Sequence, residues 1–181
     1  MTNLVGISGS LRKSSLNTML LQAMKELLPD DTVLTVRSID EIPLYNGDLD
    51  VEGGPEPVRA LKTDIEAADG LIIATPEYNY GIPGVLKNTI DWVSRPAFQS
   101  VLRGKPIAIV GAAPGIVGTA RAQAELRNVL FGTLAEVFPH PEILIGQAKQ
   151  RLDAGKLSDE RSRMLLASFL DAYVARIRRS A

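Results

Sequence analysis

Three short, uninterrupted apolar runs set the architecture: Leu4-Val-Gly-Ile7, Leu71-Ile-Ile-Ala74 and Pro106-Ile-Ala-Ile-Val110. A run that is apolar at every position is buried on both faces, and each of these leads into a small or polar loop and then a helical pattern. The first is followed by a helix marked by Leu16, Leu20, Met24 and Leu27. The second leads to a helix that has Pro83 in its first turn and runs to about Trp92, and the third to one with an apolar face of Ala122, Leu126, Val129 and Leu130. Asp31 to Arg37 reads as a further strand, Pro55 to Ala68 as a helix, and Pro141 to Ile145 as the fifth strand. A last helix takes Ser158 as its N-cap and carries Asp159 and Glu160 in its first turn. It ends in Arg176, Arg178 and Arg179, a distribution that suits the helix dipole. Met164, Leu165, Phe169, Leu170, Tyr173 and Ile177 form the face expected to pack on the sheet. Strands alternating with helices along one compositionally even chain imply a doubly wound α/β domain spanning residues 1–181.

In such a sheet ligands sit in the crevice outside the carboxyl ends of the strands, where the three loops converge. The loop Ser8-Gly-Ser-Leu-Arg-Lys-Ser-Ser-Leu-Asn-Thr18 leads directly into a helix N-terminus, whose unpaired N–H groups and partial positive charge suit a phosphate. Arg12 stands where a Walker A loop needs glycine, and only Gly6 and Gly9 are present where a dinucleotide fingerprint needs three glycines. A mononucleotide monophosphate fits better than either. The loop Thr75-Pro-Glu-Tyr-Asn-Tyr-Gly81 offers backbone donors and aromatic walls to a flat, heteroatom-edged ring. The loop Gly111-Ala-Ala-Pro-Gly-Ile-Val-Gly118 lets backbone come close to the same ligand. The expected fold is therefore a flavodoxin-like three-layer sandwich around a five-stranded parallel sheet, in the order 2-1-3-4-5.

Composition removes most other chemistries. Cysteine is absent, which excludes disulfides, thiolate nucleophiles and cysteine-ligated metal or iron–sulfur centres. His140 is the only histidine and cannot by itself form a metal cluster, so it reads as structural or exposed. With 20 basic and 21 acidic side chains there is no footprint for nucleic acid. No apolar run approaches a membrane span, and the N-terminus lacks a leader pattern, so a soluble cytoplasmic protein is expected.

Gly9-Ser-Leu-Arg12 with Ser15 and Asn17, the run from Pro76 to Asn88 with Asp91-Trp92, and Pro43-Leu-Tyr-Asn46 together resemble the NADPH-dependent FMN reductases. Bacterial chromate, quinone and azo reductases belong to that group, and the similarity runs over most of the chain. The resemblance implies bound FMN, NADPH or NADH as electron donor, and a small-molecule acceptor such as a quinone, azo compound, flavin or metal oxyanion. It also implies a homodimer or homotetramer. Ser10, Arg12, Ser15, Asn17 and Thr18 would hold the phosphate and ribityl end, while Pro76, Glu77, Tyr78, Asn79 and Tyr80 would frame the ring. Ala113, Gly115 and Gly118 would bring backbone to the ring. The third loop departs from the family pattern, with alanines where relatives carry a serine and Gly118-Thr119 in place of a Gly-Gly pair. No side chain is expected to be catalytic, because the cofactor carries the chemistry. Glu77 reads as a partner for a nearby N–H or basic group rather than as a proton relay. An electron-carrying flavodoxin or a flavin-binding sensor would share fold and cofactor, but such carriers are strongly acidic and this chain is nearly neutral.

Overall fold

The computed structural model describes residues 1–153 and 156–179. Strands β1 (Thr2–Ser8), β2 (Thr32–Arg37), β3 (Gly70–Ala74) and β4 (Pro106–Ala112) pair in parallel in the order β2-β1-β3-β4. Helices α1 (Leu16–Lys25), α2 (Glu56–Ala67), α3 (Gly84–Val93) and α4 (Ala120–Phe131) make the crossovers. The sheet thus has the expected 2-1-3-4-5 order, with its last lane divided between two strands. β5 (Glu136–Val137) pairs with the start of β4 and β6 (Ile143–Ile145) with its end. Pro139 and Pro141 explain the break, since neither can donate to a ladder.

Each central strand alternates its side chains between two cores. Ile72, Ala74, Ala108, Val110 and Ala112 face α1 and the long helix α6 (Glu160–Arg178). Leu71, Ile73, Ile107 and Ile109 face α2, α3 and α4. The small alanines let α1 lie close to the carboxyl end of the sheet, which is where its first turn has to reach.

The cap of α6 is Asp159 rather than Ser158: its carboxylate accepts from the Ser162 N–H at 2.9 Å, which a shorter serine one residue earlier does not do. Along α6 the buried stripe is Ser162, Leu166, Phe169, Leu170, Tyr173, Val174 and Ile177. Met164 and Leu165, expected in the core, lie off that 3.6-residue stripe and are exposed. Tyr173 fastens the helix to the sheet, its hydroxyl lying 3.0 Å from the carbonyl oxygen of Leu71 and 2.8 Å from that of Pro106. Among the described residues no helix is long and apolar enough to cross a membrane. Between β6 and α6 the chain forms a short helix, α5 (Ala148–Arg151), and an antiparallel pair, β7 (Leu152–Asp153) with β8 (Lys156–Leu157), packed on α1.

Candidate functional site

The first loop is anchored at both ends. Gly9 donates its N–H to Ala74 of β3 at 2.9 Å, so the chain leaves the sheet beside the second loop. Ser15 then caps α1, its hydroxyl accepting from the Thr18 N–H at 3.1 Å and lying 3.3 Å from the Ser8 hydroxyl. The N–H groups of Ser14, Leu16 and Asn17 have no acceptor among the described residues. Asn17 is buried, and its side-chain amide clamps the backbone of Ala112, donating to the carbonyl at 3.0 Å and accepting from the N–H at 2.9 Å. The amide occupies the place a neighbouring strand would take, since the last backbone group of β3's lane to reach β4 is the Thr75 N–H on the Val110 carbonyl.

The second loop turns back on itself at Asn79 and Tyr80, with Tyr78 and Gly81 exchanging two backbone hydrogen bonds of 3.0 Å. Both turn residues are left-handed, with φ of 51° and 69°, as a two-residue hairpin of the primed type requires. Asn tolerates that conformation; a tyrosine pays strain for it. The Arg121 guanidinium lies 4.2 Å from the centre of the Tyr80 ring and holds the exposed side chain down.

Glu77 ties this loop to α4. Its carboxylate accepts from the Arg121 side chain at 2.7 Å and from the N–H groups of Arg121 and Ala122 at 2.9 and 3.2 Å. Burial opposes its ionisation. The hydrogen bonds from the Arg121 side chain and the two N–H groups, with the Arg121 charge, outweigh that and hold the carboxyl below its ordinary range. At neutral pH Glu77 is therefore an anionic helix cap with no proton to relay. A carboxyl depressed by folding contributes stability in full above its unfolded value, near pH 4.3, and loses it as pH falls through the folded value. Acid melts should accordingly show wild type losing stability below about pH 5. Glu77→Gln should be less stable at neutral pH and flatter across that window; overlaying profiles would refute this role.

Two glycines of the third loop serve the protein's own packing: a Cβ on Gly111 would collide with the Thr119 hydroxyl, and Gly118, at φ 69°, lies against Leu144. Ala113 is fixed between β6 and α5, donating to Ile145 and accepting from Ala148, both at 3.0 Å.

These elements enclose a cleft of about 500 Å³ at the carboxyl ends of β1, β3 and β4. Of the residues expected at the site, Ser10, Arg12, Ser15, Asn17, Pro76, Glu77, Tyr78 and Ala113 line it together. Thr18 opens instead on a smaller adjoining pocket with Arg37 and Ile39. Asn79 and Tyr80 form the tip of the hairpin, and Gly115 and Gly118 lie off the wall. Ser14, Leu16, Met19, Ala112, Pro114, Lys149 and Leu152 complete the lining without having been singled out as ligand contacts. Leu152 and Lys149 come from a segment that shows neither helical nor strand period, so only their proximity in the fold reveals them. His140 lies away from the cleft, stacked on Phe138 with ring centres 5.6 Å apart.

The family model described as NADPH-dependent FMN reductase matches residues 2–150. The chain belongs to this family. A NAD(P)H-dependent FMN reductase of Pseudomonas aeruginosa is 45% identical over 176 residues, covering 97% of this chain and 95% of that protein. A 2-hydroxy-1,4-benzoquinone reductase of a Burkholderia species is 44% identical over 173 residues, covering 95% and 94%. Among solved structures, the flavoenzyme NAD(P)H:(acceptor) oxidoreductase FerB of Paracoccus denitrificans superposes with a TM-score of 0.90 at 38% identity, covering 99% of this chain and 98% of that one. The donor set of this family member fits FMN. Three free N–H groups at a helix start, the Ser10 and Ser14 hydroxyls and the Arg12 guanidinium suit a terminal phosphate, and Pro76, Tyr78, Ala113 and Pro114 supply apolar surface for a ring.

Proposed function

We propose that the chain is a NAD(P)H-dependent FMN reductase that passes two electrons to a quinone, and that azo compounds, free flavins and metal oxyanions are accepted by the same open site. The observation that carries this reading is one cleft with an anion-reading loop and an apolar ring-sized wall on adjacent strand ends. Bound FMN would supply the two-electron redox chemistry between the nicotinamide and the acceptor. Ser10, Ser14 and Arg12, with the N–H groups of Leu16 and Asn17, hold the phosphate. Asn17 fixes the third loop against α1, so that Ala112 to Pro114 keep their place on the cleft wall, where they would offer surface to the ring. Pro76 and Tyr78 confine the ring from the second loop, and the Glu77–Arg121 clamp keeps that loop from swinging away. The exposed side chains of Leu44, Ile116 and Phe131 support a homodimer or homotetramer as the working form.

A single cleft makes donor and acceptor competitors for one exposed ring face. Initial-rate plots against a benzoquinone at several NADPH concentrations are therefore expected to be parallel. Intersecting lines, with inhibition patterns that require a ternary complex, would contradict a shared face.

A further inference from the structure

Two cations line the cleft without an anionic partner among the described residues, Arg12 after β1 and Lys149 on α5. Among the described residues the only carboxylate on the wall, Glu77, is matched by Arg121 at 2.7 Å. The start of α1 adds further positive potential. The backbone around Lys149 is firmly set: Gln147 donates to the Gly115 carbonyl and Ala148 to that of Ala113, each at 3.0 Å, while Leu152 is buried in the core that holds α1. Ala113 in turn adjoins Ala112, which Asn17 clamps to the first turn of α1. Lys149 is thus tied through backbone to the phosphate-reading loop, with its own ammonium free.

We propose that Lys149 is the second cation reading the terminal phosphate of FMN, working with Arg12 from a different strand end. The assignment rests on the reading of the cleft as an FMN site. A phosphate monoester carries about −1.5 to −2 charges at neutral pH, so one guanidinium leaves much of it unmatched while a guanidinium and an ammonium together balance it. Unmatched charge in a partly enclosed site is costly, which makes this pairing selective for the monophosphate over uncharged riboflavin. A Lys149 serving the nicotinamide donor instead would leave the phosphate with a single compensating side chain.

The test is titration of FMN and of riboflavin into cofactor-free wild type, Lys149→Ala, Lys149→Gln and Lys149→Arg, with melting curves to show that each is folded. Because the ammonium is exposed, the neutral variants should bind FMN about fivefold more weakly, less than the loss of a buried charge would give. Riboflavin affinity should not change, and arginine should restore FMN binding. Unchanged FMN affinity, or equal losses for both ligands, overturns the assignment. So does a raised KM for NADPH with normal FMN binding, which gives the ammonium to the donor. Wild type that binds no FMN at all would instead defeat the reading of the cleft itself.

Discussion

Arg12→Ala is expected to weaken FMN binding by about tenfold to a hundredfold, the equivalent of one charge-assisted hydrogen bond of roughly 1.5–3 kcal/mol. The side chain is exposed at the cleft and forms no ion pair among the described residues, so nothing in the protein depends on it. Its backbone carbonyl accepts from Ser15, and that bond survives truncation. The loss should therefore appear in the FMN titration and leave the melting temperature of the cofactor-free protein where it was. Riboflavin, without a phosphate, should bind the variant as it binds wild type. Unchanged FMN affinity would remove Arg12 from the phosphate site.

Asn17→Ala should act the other way, on the empty protein first. Truncation strands the N–H and carbonyl of Ala112, both buried at the end of β4 and both bonded to the Asn17 amide. An unsatisfied buried backbone group costs about 1–3 kcal/mol, so the pair should cost about 2–4 kcal/mol. For a chain of this size that lowers the melting temperature by roughly 5–15 °C without any cofactor present. FMN affinity should fall as well, because the third-loop wall of the cleft loses its anchor. A normal melt with weakened FMN binding would show Asn17 to be a phosphate ligand alone, contrary to the clamp.

The central sheet was legible because β1, β3 and β4 are apolar on both faces, as covered parallel strands are, and each is followed by a loop and a helical pattern. The fifth lane was legible in part: Pro141 has no N–H to contribute, so pairing begins at Ile143, and two-residue β5 is too short to leave a period. Site residues were legible where loop chemistry is local, as in the Ser15 cap, and illegible where it is tertiary. Asn17 looks like a ligand in sequence; only the fold brings Ala112 against it. Gly118 looks like room for a ring until Leu144 fills that room. The left-handed turn at Asn79 and Tyr80 was hidden for a related reason, since glycine is the usual sign of such a turn and tyrosine gives none. Lys149 leaves no signal in the sequence because α5, at four residues, is too short to show a period.

The proposed electron path, from a nicotinamide to FMN bound in this cleft and on to an acceptor, is tested most directly by adding NADPH without oxygen to FMN-loaded protein while following the visible flavin band. The band is expected to bleach rapidly with no other protein present, and to return when a benzoquinone is added. Protein that holds FMN yet keeps its band unchanged with both NADPH and NADH would contradict the account and leave a flavin carrier or sensor in its place.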